Sequence, residues 1–237
     1  MNSTMPYGLN DEMATYDPHF AEKVTHSLTL IHGAHWQLGA RLVVEHNLTR
    51  ESCVVWDLAK RASQGIRGFC IATRFQSPEA VKFMEQLVAQ YPEIRIYESY
   101  MQIPDELPDI DPELCCRVLR IGPKRQALKE MNISCLMTGF CNAHNSRLVL
   151  SEFQQITTQL SELIPILNWN DTDITRYVEA RRIKFSQACQ QGVRKIGCSA
   201  CHREVLRGGA PDRVDQVIRA QAQKIVLSRS QCFSMTG

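Results

Sequence analysis

The chain has no run of about 18 uninterrupted apolar residues, the length a membrane-crossing helix requires. Its first thirty residues lack a basic start followed by an apolar core, so export is not expected and a cytoplasmic setting is. Net charge is also scarce. The formal value of +2 at neutral pH does not single out a nucleic acid or an anionic membrane as partner. No repeat or low-complexity stretch is present, which excludes solenoids and fibrous architectures.

Cysteine, by contrast, is plentiful, with ten in 237 residues. Without a leader, reduced or metal-bound thiols are expected rather than disulfides. The bulk composition, 44% hydrophobic and 22% charged, is that of an ordinary globular protein, and the length fits one large domain or two small ones. Two cysteine groups stand out: the adjacent pair Cys115-Cys116 and the Cys-x-x-Cys of Cys198 and Cys201. A Cys-x-x-Cys alone is ambiguous between metal and redox roles. Adjacent thiolates diverge and suit a polynuclear cluster better than one tetrahedral ion. Together the four fit an iron–sulfur cluster or zinc, with independent buried thiols as the plain alternative.

The pattern of the remaining chain is that of parallel α/β. Apolar residues at near-helical spacing predict a helix over 17–38, and Leu42-Val43-Val44 predicts a strand over 41–45. A polar turn at 47–51 and a helix over 52–62 follow. Further strands are expected at 68–73, 94–97 and 134–138, with a helix over 77–91 opened by Ser77-Pro78-Glu79. Residues 99–111 read as an acidic loop, and Pro112 as the start of a short helix carrying Cys115 and Cys116. The segment 163–167 contains Pro165 and is expected to be an edge or irregular. Asn170 caps a helix through Ala180, with Asp173 in the capping-box position, and another helix is expected over 212–229. The strand–helix order predicts a mostly parallel twisted sheet with helices on both faces. Loops after such strands form the usual ligand crevice, which points to 47–52. The expected organisation is an arm at 1–16, loose or making an oligomer contact, a single domain at 17–229, and a tail at 230–237.

In ordered blocks from about residue 41 to 232, the chain resembles the assimilatory sulfonucleotide reductases. These are the adenylyl-sulfate and phosphoadenylyl-sulfate reductases of the adenine nucleotide alpha-hydrolase-like superfamily. Cys115-Cys116-Arg117-Val118-Leu119-Arg120-Ile121-Gly122-Pro123 is similar to the family's Cys-Cys-x-x-x-Lys-x-x-Pro. Pro165, Trp169, Asp173 and Tyr177 match a second block, and the stretch from Gly192 to Cys201 resembles the one that supplies the second cysteine pair. Ala72-Thr73 through Ser77-Pro78-Glu79 echoes an Asp-Thr-Gly … Phe-Pro-Glu-Thr stretch. The resemblance implies a 4Fe-4S cluster on Cys115, Cys116, Cys198 and Cys201. It also implies a nucleophile near the C-terminus, where Cys232 stands without the family's neighbouring Glu, Gly and His. The implied reaction releases AMP and sulfite from a sulfonucleotide through an S-sulfocysteine, with thioredoxin or glutathione as reductant.

The departures lie where the nucleotide would bind. The family's Ser-Gly-Gly-Lys-Asp-Ser loop stands as Asn47-Leu48-Thr49-Arg50-Glu51-Ser52, so Arg50 and Ser52 keep a charge and a hydroxyl while both glycines are lost. An arginine-rich family block becomes Phe140 to Arg147, with Cys141 and Asn142 in place of two guanidiniums and Arg147 retained. Thr73 is kept and followed by a new cation, Arg74. Arg120 replaces the family lysine beside the cysteine pair, and Arg213 corresponds to the arginine of a Gly-Arg-Trp block. The substrate contacts implied are therefore Arg50, Ser52, Thr73, Arg147 and Arg213, with Cys232 and Arg120 in the chemistry. A family enzyme acting on adenylyl sulfate or a related anionic nucleotide is the leading expectation. A repurposed sulfur-transfer or redox enzyme, or a nonenzymatic cluster protein, are the alternatives.

Overall fold

The computed structural model describes residues 16–105, 107, 111–141 and 151–186. Helix α1 (Pro18–Leu38) opens with Asp17, whose side chain accepts the amide of Phe20 at 3.1 Å, and has proline in its first turn. A single 3-10 turn (Gly39–Arg41) leads into β1 (Leu42–Glu45). Helix α2 (Arg50–Ala62), β2 (Arg67–Ala72), α3 (Pro78–Gln90) and β3 (Ile94–Glu98) follow. Ser77 caps α3 by accepting the amide of Ala80, as its position before proline requires.

Helix α4 (Pro112–Cys116) continues through a π turn (Arg117–Ile121) into α5 (Gly122–Glu130). The expected short cysteine helix is thus the first part of a longer one. Pro123 does not end it, because it falls in the first turn after the π segment, where a missing N–H costs nothing. Strand β4 (Cys135–Met137) precedes the antiparallel pair β5 (Phe153–Thr157) and β6 (Leu160–Leu163), and helix α6 (Asp171–Arg181) closes the described chain. The proline-bearing segment is irregular as expected: β6, which lies inside the sheet between β4 and β5, ends at Leu163, and residues 164–167 leave it in a turn. Residues 212–229 lie outside the described residues, as do most of the arm and the tail.

The sheet runs β3-β2-β1-β4-β6-β5, and only β5 is antiparallel. Alternation along the strands assigns the two faces. Leu42, Val44, Cys70, Ile94 and Met137 pack with α1, α2, α3 and α6 in one large core. Val43, Phe69, Tyr97 and Leu136 pack with Ala127 and Met131 at the α5 end of the cysteine-bearing helix in a smaller one. Helices therefore cover both faces, four on one and one continuous rod on the other. The chain leaves β1 toward β2 on one side and β4 on the other, so the order reverses at β1. In such sheets the crevice opens at the carboxyl ends of the strands flanking that reversal. No helix among the described residues is long and apolar enough to cross a membrane.

Candidate active-site crevice

At the carboxyl end of β1 the chain passes through Glu45 and His46 into residues 47–49 and then α2. Leu48 takes φ 61°, a left-handed conformation that suits the glycine of the family loop, yet its side chain is only 2% exposed. Burial of the leucine, roughly 1.5–3 kcal/mol, offsets the roughly 1–2 kcal/mol of backbone strain. Thr49 caps the helix, its Oγ1 accepting the Ser52 amide at 3.2 Å. The Ser52 hydroxyl donates back to the Thr49 carbonyl at 2.9 Å. Arg50 donates to Asp171 Oδ1 at 2.9 Å and to Glu51 Oε1 at 3.3 Å. The two loop residues expected to meet an anion are thus both engaged within the protein.

The loop after β4 closes on the same place. A Cβ on Gly139 would lie 2.9 Å from both Glu51 C and Ser52 N, so only glycine permits this backbone-to-backbone approach. Below the loop, the buried His46 accepts the Leu48 amide on Nδ1 at 3.2 Å, which puts the ring proton on Nε2. That Nε2 is buried with no hydrogen-bond partner. Burial holds the imidazole neutral by pushing its pKa down to about 3. At the end of the neighbouring strand β2, Thr73 donates its amide to Gln76 Oε1 at 3.1 Å, and its Oγ1 is likewise buried and unpaired. Among the described residues these two polar atoms are without partners, and they lie at the carboxyl ends of adjacent strands.

The cysteine rod borders this crevice. Cys115 is 4% exposed and packs with Ile103 and Leu119, and with Phe75 from the loop after β2, while Cys116 is half-buried. Two soft sulfur donors against a dry apolar wall suit an iron–sulfur cluster, so the residues present fit the group the resemblance implies. The other pair, Cys198 and Cys201, lies outside the described residues. Arg120 sits on the π turn directly after the pair. Local π geometry of this kind concentrates at functional sites. One ion pair fixes the rod to the end of β1, and another braces the loops beside it. Lys124 reaches Glu45 Oε2 at 2.6 Å, and Arg74 donates to Asp105 Oδ1 at 3.0 Å and to the Ile103 carbonyl. Arg74, the new cation of the sequence, thus ties the loop after β2 to the residues that wall Cys115.

Two cysteines of the sheet are held as unreactive thiols. Burial, reinforced by Glu45, pushes the Cys70 thiol up to about 12, and burial with Glu162 does the same to Cys135. The second family block turns out to hold the fold together. Trp169 stacks edge-on against Phe20 and Tyr177 at 5.5 and 5.3 Å, and its Nε1 donates to Ser27 at 3.1 Å. Asp173 closes the capping box with Asn170 and takes Lys23 at 2.6 Å. The Tyr177 hydroxyl donates to Asp57 at 2.8 Å and accepts from Arg61 at 2.8 Å.

Of the expected site residues, Arg50, Ser52 and Thr73 come together at the carboxyl edge, with Cys115, Cys116 and Arg120 on the rod beside it. Arg147, Arg213 and Cys232 lie outside the described residues. His46, Glu45, Lys124 and Gly139 were not among the expected residues. The signal for the first two was present, since a charged and a titratable residue directly follow the apolar run Leu42-Val43-Val44 at a strand's carboxyl end.

This sheet order, with its crevice at the reversal beside β1, is that of the adenine nucleotide alpha-hydrolase-like class. Two solved structures share the fold. They are phosphoadenylyl-sulfate reductase from Candida auris in a phosphate complex (TM-score 0.64, 15% identity, 77% of this chain and 95% of that one) and Candida glabrata FMN adenylyltransferase with ATP (0.63, 11%, 80% and 67%). Within that class the phosphoadenosine phosphosulfate reductase domain family matches residues 41–204, and the chain belongs to that family. The matched span contains the loop after β1 and all four paired cysteines, and it stops short of Arg213 and Cys232. The chain is also similar to adenosine 5'-phosphosulfate reductases. That of Halalkalibacterium halodurans is 21% identical over 77% of this chain and 83% of its own length, and that of Bacillus anthracis 20% identical over 83% and 91%.

Proposed function

We propose that the chain is a thiol-dependent sulfonucleotide reductase, acting on adenylyl sulfate or a close relative. The observation that carries this reading is the docking of the Cys115-Cys116 rod against the loop after β2, beside a crevice whose strand ends hold unpaired polar atoms. In this reading Cys115, Cys116, Cys198 and Cys201 would hold a 4Fe-4S cluster, which would supply a redox-active centre. Thr73 Oγ1 and His46 Nε2 offer hydrogen bonds to the nucleotide, and Arg50, Arg147 and Arg213 supply charge to its phosphate and sulfate. Arg120 stabilises thiolate at Cys232.

The Cys232 thiolate attacks the sulfate sulfur, the bond from that sulfur to the phosphate oxygen breaks, and AMP leaves with the electron pair. A reductant, either a thioredoxin-type dithiol or a pair of glutathione monothiols, then attacks Cys232 Sγ with one thiol and releases sulfite. Its second thiol resolves the mixed disulfide, so two thiols are oxidised as sulfur falls from the sulfate to the sulfite level. The test is sulfite release from anaerobically purified protein supplied with adenylyl sulfate and thioredoxin, with mass spectrometry of Cys232. Sulfite together with a sulfo adduct at Cys232 is expected; neither appearing rejects the reading.

The internally bonded loop favours a second reading, in which the scaffold serves another sulfur-transfer or redox reaction, or binds a partner without turnover. Nucleotide binding with no sulfite release supports that reading over the first.

A further inference from the structure

We infer that Thr49 is a specificity-determining latch whose hydroxyl competes with a nucleotide phosphate for the loop after β1; the inference rests on the sulfonucleotide reading of the crevice. A phosphate at a helix start is held by the first-turn amides and a cation. Here the Ser52 amide is taken by Thr49 Oγ1 at 3.2 Å, and the Leu48 amide by His46 at 3.2 Å. The Ser52 hydroxyl, 3.1 Å from Thr49 Oγ1, is turned onto the Thr49 carbonyl. Arg50, the loop's cation, lies between the carboxylates of Asp171 and Glu51, so a phosphate entering this loop meets a neutralised guanidinium.

The position itself explains the substitution. Thr49 has φ −77° and ψ 162°, extended backbone open to any residue, so a hydroxyl-bearing side chain replaces the family glycine without strain and supplies the cap from within the chain. A phosphate oxygen accepts the same Ser52 amide only after Thr49 Oγ1 has let go of it. The latch lowers phosphate affinity and leaves the adenosine part of the site untouched.

Calorimetric titration of the full chain, purified anaerobically, with AMP and with adenosine tests this. Thr49→Gly removes the hydroxyl at a cap position where glycine costs only a few tenths of a kcal/mol, so the variant folds. It is expected to bind AMP up to about twofold more tightly, since the few tenths of a kcal/mol that the cap is worth are returned, with adenosine unchanged. Thr49→Ser, which keeps the hydroxyl, should return the affinity toward wild type. Asp171→Asn, which releases Arg50 from one carboxylate, should tighten AMP by about five- to tenfold. The inference is overturned if Thr49→Gly binds AMP as wild type does, if adenosine tightens in parallel, if Thr49→Ser behaves as Thr49→Gly, or if no variant binds AMP. Sulfite release is scored separately, and its failure beside a tightened Thr49→Gly rejects the reductase reading alone.

Discussion

The two faces of the sheet are built to different standards. On one, four helices among the described residues bury a large core, and several polar groups between them find partners: Tyr177 with Asp57 and Arg61, Asp173 with Asn170 and Lys23, Trp169 with Ser27. On the other, one rod interrupted by a π turn covers a small core and is clipped to the end of β1 by Lys124–Glu45. The thick face supplies stability, and the thin face carries the paired cysteines. Sequence matching to the family draws on both, so a match in the Trp169–Tyr177 block speaks for the scaffold and not for the chemistry.

The largest expected effect comes from breaking the thick face. Trp169→Ala should cost about 3–5 kcal/mol, with loss of the aromatic stack and of the Ser27 bond, read as a large drop in the denaturant midpoint. A change below about 1 kcal/mol would show that this block is not the structural anchor described.

Next comes His46, where scaffold meets crevice. Burial holds its folded pKa at about 3, below the ordinary histidine value of 6.5, so the unfolded chain binds the proton first as pH falls. The stability that the neutral imidazole supplies is full above pH 6.5 and is lost as pH drops toward 3, by up to about 1.4 kcal/mol per pH unit. Chemical denaturation at pH 7.5, 6 and 5 should show that slope in wild type and a flatter one in His46→Asn, which keeps an acceptor for the Leu48 amide. Equal slopes would remove His46 as the titrating group.

The smallest effect belongs to the thin face. Lys124 is over a third exposed, so Lys124→Met should cost about 1 kcal/mol or less. It should nonetheless loosen the rod, seen as faster amide exchange at residues 115–121 with the α6 amides unchanged. Uniform exchange on both faces would dissolve the comparison.

Much of the fold was legible in the sequence because local chemistry and tertiary context agree there. Ser77 and Asn170 are caps in the sequence and caps in the structure, and the apolar triplet of β1 is buried as its composition implies. The polar strand β5, whose residues Phe153–Thr157 read FQQIT, gave no such signal, because an edge strand needs only one partner and little burial. The continuation of the cysteine helix was hidden by Gly122-Pro123, since a π turn is set by packing and not by propensity. In the crevice, the lost glycines could be read directly. The residues that close on the loop could not, because Gly139 and Asp171 come from distant parts of the chain.

The π turn has a further consequence, one of phase. Each residue of an α-helix advances the side chains by about 100° around its axis, so a one-residue change in a rod rotates everything beyond it by that angle. The five residues Arg117–Ile121 stand between Cys115-Cys116 and Lys124. They fix how far around the rod the thiols lie from the lysine that clips it to Glu45. Deleting any one of them keeps every side chain named at both ends and still turns the two thiols away from their wall. The rod is a dial, and its setting is written in the number of residues between the cysteines and the clip.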